Sequence, residues 1–479
     1  MAAIDSGKRS AAGVFLKLLS GGIKGTQYGF EPDEALLGRV WTMAEIHHVT
    51  ALVFDGMESE AIQKGCPALF SDFQEKARNY VFGQAQRSAD FLLLYDFLKA
   101  GGLQPLVVKG IVCRSLYPQP EHRPSSDEDL LIRQEDFPKI HEAMRKAGFS
   151  LVDPDQEIDS AFEVSYQHPD NHLYIEIHKA LFPPTSDAYG DLNECFEGAF
   201  LRSVTQSIYG VTFHTLGYTD HLLYLILHAF KHFLHSGFGI RQVCDILLFS
   251  KAFREQIDWT VIQKKLTAVH AMNFAVAIFR IGEVYLKIDT DTEKCFSYEH
   301  LRDVDPKPLL KDILEGGLYG ASSMVRLHSS NMTLHAALER KERGERSGSH
   351  AEKQGIRAES GGGCAERAGS RVKGSGGHAE SARALTSGGK QSGSALRAVL
   401  YTAFLPLSEM KGRYRYLEKF PVLLPYAWAR RICSYIGSFP GRSGRRNAAY
   451  HDTQESIRLG NERIRLLRLY HVIGDEEER

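Results

Sequence analysis

Two carboxylates two positions apart, Asp127 and Asp129, open onto the apolar run Leu130-Leu131-Ile132, and no other stretch restricts the fold so tightly. Side chains alternate along a strand, so acids at i and i+2 leave on the same face and become neighbours. Burying two neighbouring anions is unfavourable unless a cation lies between them. Hard carboxylate oxygens placed this way point to a divalent metal ion. A lone Asp-x-Asp is a weak motif whose bland reading is an exposed acidic turn, so its setting decides.

The setting favours the metal. Leu106-Val107-Val108 reads as a short buried strand ending in Lys109-Gly110, followed by a helix through Val112 to Leu116. A proline-rich loop, Pro118 to Ser126, then delivers the chain to the acidic strand. After Ile132, Asp136 is placed to cap a helix whose apolar face is Phe137, Ile140, Met144 and Ala147. Two more strand-like runs follow, 161–167 and 172–178, around the turn Pro169-Asp170-Asn171. In the second, Leu173, Ile175 and Ile177 share one face while Tyr174, Glu176 and His178 share the other. Glu176 therefore faces the Asp pair if this strand lies beside theirs. Three carboxylates converging on a sheet can hold two Mg²⁺ ions about 3.5 to 4 Å apart, an arrangement suited to phosphoryl or nucleotidyl transfer. His178 is read as a supporting residue rather than a catalytic base.

At 479 residues the chain exceeds what one hydrophobic core usually serves. The formal charge is -1, so no global field argues for nucleic acid or an anionic membrane as the main partner. Seven scattered cysteines without close pairs fit reduced thiols in a cytoplasmic protein. The apolar patch Val14-Phe15-Leu16 is broken by Lys17 and lacks a cleavage site, so it reads as part of a helix rather than a signal. The longest apolar run, 222–230, is far below the ~20 residues of a membrane span.

The expected organisation is α+β: a helical region 1–100, a small mixed-sheet α/β domain 101–200 and a helical domain 201–335. Residues 336–396, rich in Gly, Ser, Arg and Glu, read as a disordered insertion, and 397–479 as a C-terminal helical region. In the helical domain His221, His228, His232 and His235 fall along one stripe. Without an HExxH, Cys or acid among them, ligand-facing or interhelical hydrogen bonds are favoured over zinc, with Lys231 reaching nucleotide or acceptor. Asp245 reads as half of a buried salt bridge, with Lys231 or a histidine the alternative partners. Arg430, Arg431, Arg442, Arg445 and Arg446, interleaved with Trp428, Tyr435 and Phe439, superficially suit RNA, but a solvated helix end and loop is the preferred reading.

Several of these segments together resemble the bacterial uncharacterised nucleotidyltransferase family of the DNA polymerase β-like superfamily. They are Lys109-Gly110, Leu116-Tyr117-Pro118, Arg123-Pro124, Asp127-x-Asp129-Leu130-Leu131, Gly148-Phe149 and Glu176-Ile177-His178. His228-x-x-Lys231-His232 with Arg241 and Asp245, and Leu423-Leu424-Pro425-Tyr426-Ala427-Trp428, extend the likeness. It implies transfer of a nucleoside monophosphate from an NTP to an acceptor hydroxyl, with pyrophosphate leaving. Asp127 and Asp129 would hold both Mg²⁺ ions, Mn²⁺ being an alternative, and Glu176 would complete the acceptor-side site and help deprotonate the acceptor. Lys109, Gly110, Arg123, Lys231, His228 and His232 would bind the nucleotide, the Gly110-Ile111 turn bringing its backbone N–H groups close to the phosphates. The acceptor is left open among a small molecule, a polysaccharide precursor, a peptide or a protein. One departure is that the wider superfamily carries Gly-Ser or Gly-Gly where this chain has Gly110-Ile111. The alternative function is a degenerate domain that binds nucleotide as a regulatory or scaffolding module; the complete acid triad favours the enzyme.

Overall fold

The computed structural model describes residues 10–30, 33–184, 189–235, 237–317, 420–428 and 458–473. The expected insertion 336–396 and the arginine run 430–446 lie outside those residues. The chain divides into two compact units, residues 1–327 with 465–479 and residues 328–464. In the second, the described residues include a 3-10 turn, Pro421–Leu423. The sheet and its cavity belong to the first.

Five helices lead in: α1 (Ala11–Lys24), α2 (Glu34–Ile46), α3 (Thr50–Asp55), α4 (Ser59–Gly65) and the long α5 (Pro67–Ala100). Ser10 Oγ accepts from the Gly13 N–H to start α1, and the Asp33 side chain accepts from the Ala35 and Leu36 N–H groups to start α2. Both caps satisfy amides that have no partner inside the helix. The inner stripe of α5 includes Phe91, Leu94, Tyr95 and Leu98, and the Phe91 ring stacks on Phe213 at 6.0 Å. Tyr95 Oη accepts from the His214 N–H at 3.0 Å and donates to the Pro105 carbonyl at 3.2 Å. One helix thereby clamps the sheet.

The sheet has seven strands in the order β3-β4-β5-β2-β1-β7-β6. They are β1 (Leu106–Val108), β2 (Glu128–Leu131), β3 (Ser150–Leu151), β4 (Glu163–Gln167), β5 (Tyr174–His178), β6 (Val204–Ile208) and β7 (Val211–Thr215). Between β1 and β2 lies the short α6 (Gly110–Arg114), and between β2 and β3 lies α7 (Phe137–Lys146). β1 runs antiparallel to β2 and parallel to β7, while β2 runs parallel to β5. The interior strand β1, Leu106-Val107-Val108, is entirely buried, as a continuous apolar run flanked on both sides should be.

Two expectations change. The strands β6 and β7 extend the sheet to Thr215, beyond the boundary at 200. Tyr209 and Gly210 both take positive φ, 52° and 79°, which matches the twist of a two-residue hairpin turn. Asp136 makes no side-chain cap for α7: its backbone is already helical, at φ -86° and ψ -10°, and a 3-10 turn (Gln134–Asp136) leads into the helix. A side chain leaving a helical backbone cannot swing back onto the first-turn amides as an extended one does.

Beyond β7 come α8 (Tyr218–Leu234), α9 (Ile240–Ala252), α10 (Trp259–Ala268) and α11 (Met272–Ile281). Helix α8 is apolar nearly all round, with Leu222 to Leu227 buried without a break, so it runs through the core rather than over it. None of the described helices is long and apolar enough to cross a membrane. The five cysteines among the described residues carry free thiols.

Candidate active site

Parallel pairing of β2 with β5 sets Asp129 opposite Glu176 and Leu131 opposite His178. Directly paired residues project to the same face, so register alone makes neighbours of groups 47 and 49 positions apart, the latter being the separation of His178 from Asp129. Antiparallel β4 then brings Glu163 opposite His178. His178 Nε2 lies 2.9 Å from Asp129 Oδ1 and 3.5 Å from Glu176 Oε2, and its Nδ1 lies 3.5 Å from Glu163 Oε2.

Lys109 closes the cluster from β1. Its Nζ stands 3.2 Å from Asp129 Oδ2, 3.2 Å from His228 Nε2, and over the Tyr224 ring at 5.4 Å. The backbone there is strained, with φ 55° in a non-glycine residue. The strain is held by His221, whose Nε2 accepts from the Lys109 N–H at 3.1 Å. His221 Nδ1 meets Thr215 Oγ1 at 3.2 Å, and that hydroxyl donates to the Val107 carbonyl at 2.6 Å. A chain of bonds from β7 and α8 thus aims the lysine.

The charges follow from this packing. Burial alone would raise the Asp129 carboxyl, but Lys109 and the His178 bond outweigh it and hold it well below the usual carboxylate range. Burial opposes charge on His178 too, yet its bonds to Asp129 and Glu176 prevail and push it up to about 9. Glu176 is raised, first by burial. His221 is driven down to about 3 by burial and then by Lys109, and His232 also to about 3 by burial and then by Lys231. Lys231 is lowered by burial and by Lys109.

Glu128 lies between the two aspartates in sequence and faces the other way. The Ile111 N–H donates to Glu128 Oε2 at 2.8 Å and Arg114 Nη2 donates to Oε1 at 2.5 Å. A Cβ on Gly110, whose φ is +33°, would meet Glu128 Oε2 at 1.9 Å, so only glycine fits. The expected phosphate cradle at Gly110-Ile111 is therefore partly filled from within: the Ile111 amide serves a carboxylate.

All nine predicted site residues, Lys109, Gly110, Arg123, Asp127, Asp129, Glu176, His228, Lys231 and His232, line one cavity of about 650 Å³. The carboxylate oxygens of Asp129 and Glu176 and a ring nitrogen of His178 lie within 4.8 Å of one another, and Asp127 is outside that group. This donor set fits a divalent cation, because two carboxylate oxygens and a ring nitrogen are gathered around one point. Arg123 is deeply committed: Nε and Nη2 reach Asp245 Oδ1 and Oδ2 at 3.1 and 2.5 Å, and only Nη1 is left without a partner. Asp245 thus pairs with Arg123 rather than Lys231 or a histidine, since the planar guanidinium fork matches a carboxylate in two bonds. The Tyr117 hydroxyl adds a third bond to Asp245, at 2.8 Å. His228 lines the cavity and meets Gln242 Nε2 of α9 at 3.5 Å, and His232 lines the cavity too, whereas His221 departs from the expected ligand-facing or interhelical role and bonds the Lys109 backbone and Thr215 of β7. Sequence reasoning passed over Glu163 and Tyr224 and undervalued His178. The alternation Glu163, Ser165, Gln167 and the one-turn spacing of Tyr224 from His228 were the available signals.

The fold and site define an α+β protein that gathers carboxylates from interior strands and cations from a turn and a core helix around one cavity. The chain belongs to the uncharacterised nucleotidyltransferase family, whose model matches residues 33–286, more than half its length. It is accordingly a transferase of nucleotidyl groups. No curated protein and no solved structure matches it.

Proposed function

We propose that the protein moves a nucleoside monophosphate from an NTP to an acceptor hydroxyl in a divalent-metal-dependent reaction, releasing pyrophosphate. The observation that carries this reading is the in-register facing of Asp129 and Glu176 inside a cavity that also holds Asp127 and the cations Lys109 and Lys231. When bound, divalent ions would neutralise phosphate charge and polarise the α-phosphoryl oxygens. Asp129 and Glu176 would hold one ion, and Asp127 with Asp129 a second.

The chain's own groups do the rest. Lys231, His228, His232 and the spare nitrogen of Arg123 receive triphosphate oxygens, while Lys109 supplies positive charge against the acids. As the acceptor oxygen bonds to the α-phosphorus, the bond to the β-phosphate oxygen breaks and its electrons leave with pyrophosphate. The acceptor proton passes to Glu176, the role that the family likeness implies for it. The acceptor is a small molecule, a polysaccharide precursor, a peptide or a protein, and the site of action is the cytoplasm.

The test is incubation with α-labelled NTPs, Mg²⁺ or Mn²⁺ and candidate acceptor pools. Label transfer and pyrophosphate release should both disappear in Asp129→Asn and Glu176→Gln. Release that persists in both variants would remove these residues from the reaction.

A further inference from the structure

His178 occupies a position that a supporting histidine does not need. It is 4% exposed and stands on the same face of β5 as Glu176. Its Nε2 is directed at the two carboxylates, 2.9 Å from Asp129 Oδ1 and 3.5 Å from Glu176 Oε2. Ligands bound at about 2.1 Å from one ion stand about 3 Å apart when at right angles, so Nε2 already stands near a coordination spacing from each carboxylate. The far side of the ring is equally specific. Nδ1 is buried without a hydrogen bond, and Glu163 Oε2 waits 3.5 Å away across the β4–β5 pairing. An imidazole that ligates through one nitrogen ordinarily donates its other N–H to a carboxylate, which fixes the tautomer and raises its basicity.

Resting on the metal-dependent reading above, we propose that His178 Nε2 is itself a metal ligand with Asp129 and Glu176, oriented by Glu163, and that this site selects a divalent transition-metal ion over Mg²⁺. Mg²⁺ favours an all-oxygen octahedron, whereas an imidazole nitrogen favours first-row transition ions. In the metal-free protein the Nε2–H donates to Asp129. Ion entry releases that proton to solvent, Nε2 offers its lone pair, and Nδ1–H closes on Glu163.

The experiment uses the full-length protein without nucleotide and Mn²⁺ alone as probe. Electron spin-echo spectra of the Mn²⁺-loaded protein should show coupling to a directly bound ¹⁴N. His178→Gln should abolish it, lower Mn²⁺ affinity at least about tenfold, and shrink the Mn²⁺ over Mg²⁺ preference in competition. His228→Gln removes another cavity imidazole and should keep the coupling. Glu163→Gln should keep it as well but weaken Mn²⁺ by about tenfold. Wild-type spectra without nitrogen coupling, or coupling that His228→Gln removes, would overturn the assignment. So would a folded His178→Gln protein, by circular dichroism, that binds Mn²⁺ as wild type does. If His178→Gln fails to fold, unchanged Mn²⁺ affinity in Glu163→Gln overturns the proposal and weakened affinity with retained coupling supports it. Because binding is read without nucleotide, coupling in a protein that transfers nothing keeps this ligand set and removes only the transferase role. Transfer supported by Mg²⁺ without coupling does the reverse.

Discussion

Glu128 and Asp129 are consecutive on one strand, exposed by 3% and 2%, and the alternation of the strand sends them into opposite regions. On one face Glu128 is sealed: the Ile111 amide and the Arg114 guanidinium saturate it, and Gly110 packs too closely for any side chain. On the other face Asp129 opens into a cavity, and its partners, Lys109 and His178, are cations in places where an ion would also be stable. Equal burial therefore conceals different jobs. Whether the partner could be replaced by something from solution separates an acid that builds the turn from an acid that works at the site.

That contrast can be broken experimentally, and the largest effect belongs to the open face. Asp129→Asn should lower nucleotide transfer per folded molecule by at least about 10³-fold, corresponding to roughly 4 kcal/mol of barrier. If the loss is matched by unfolding, the two faces are not distinct. Next, Arg114→Met should destabilise the protein by about 3–5 kcal/mol in denaturant titrations, because Glu128 is left as an uncompensated buried charge. Pairing it with Glu128→Gln should recover most of that loss, and transfer per folded molecule should persist in the pair. Gly110→Ala is expected to cost on the order of 2–3 kcal/mol through the Glu128 clash and the positive φ.

The smallest effect is a pH signature of two histidines moved in opposite directions. His178, raised from 6.5 to about 9 in the metal-free fold, contributes stability that is complete below about 6.5 and is lost as pH rises through about 9. His221, lowered from 6.5 to about 3, contributes stability present above 6.5 that is lost as pH falls toward about 3. Imidazole proton shifts followed from pH 4 to 10 would check both, and a His178 resonance that titrates near 6.5 would show that its two carboxylates do not hold it.

Much of the site was legible because strand alternation is local. The facing of Asp129, Glu176 and His178 followed from residues two apart, and the family likeness gathered the remaining cations. The hairpin Val204–Ile208 and Val211–Thr215 was missed because its polar residues Gln206 and Ser207 diluted the alternation, although Tyr209-Gly210 between β-branched runs marked the turn. The partner of Asp245 was missed because it rests on a contact across 122 positions, which no periodicity encodes.

The sequence by itself determined which acids share a face, where the lysine turn falls, and that a core helix carries a stripe of histidines, since these depend on repeats of 2 and 3.6 along one chain. Tertiary structure alone decided which groups meet. Parallel pairing of β2 with β5 put Glu176 and His178 beside Asp129, the β4 hairpin added Glu163, and Glu128 closed the turn that was expected to hold phosphate. The physical reason is that strand register and helix docking are set by burial summed over the whole core, and a charged side chain inherits its neighbours from that sum.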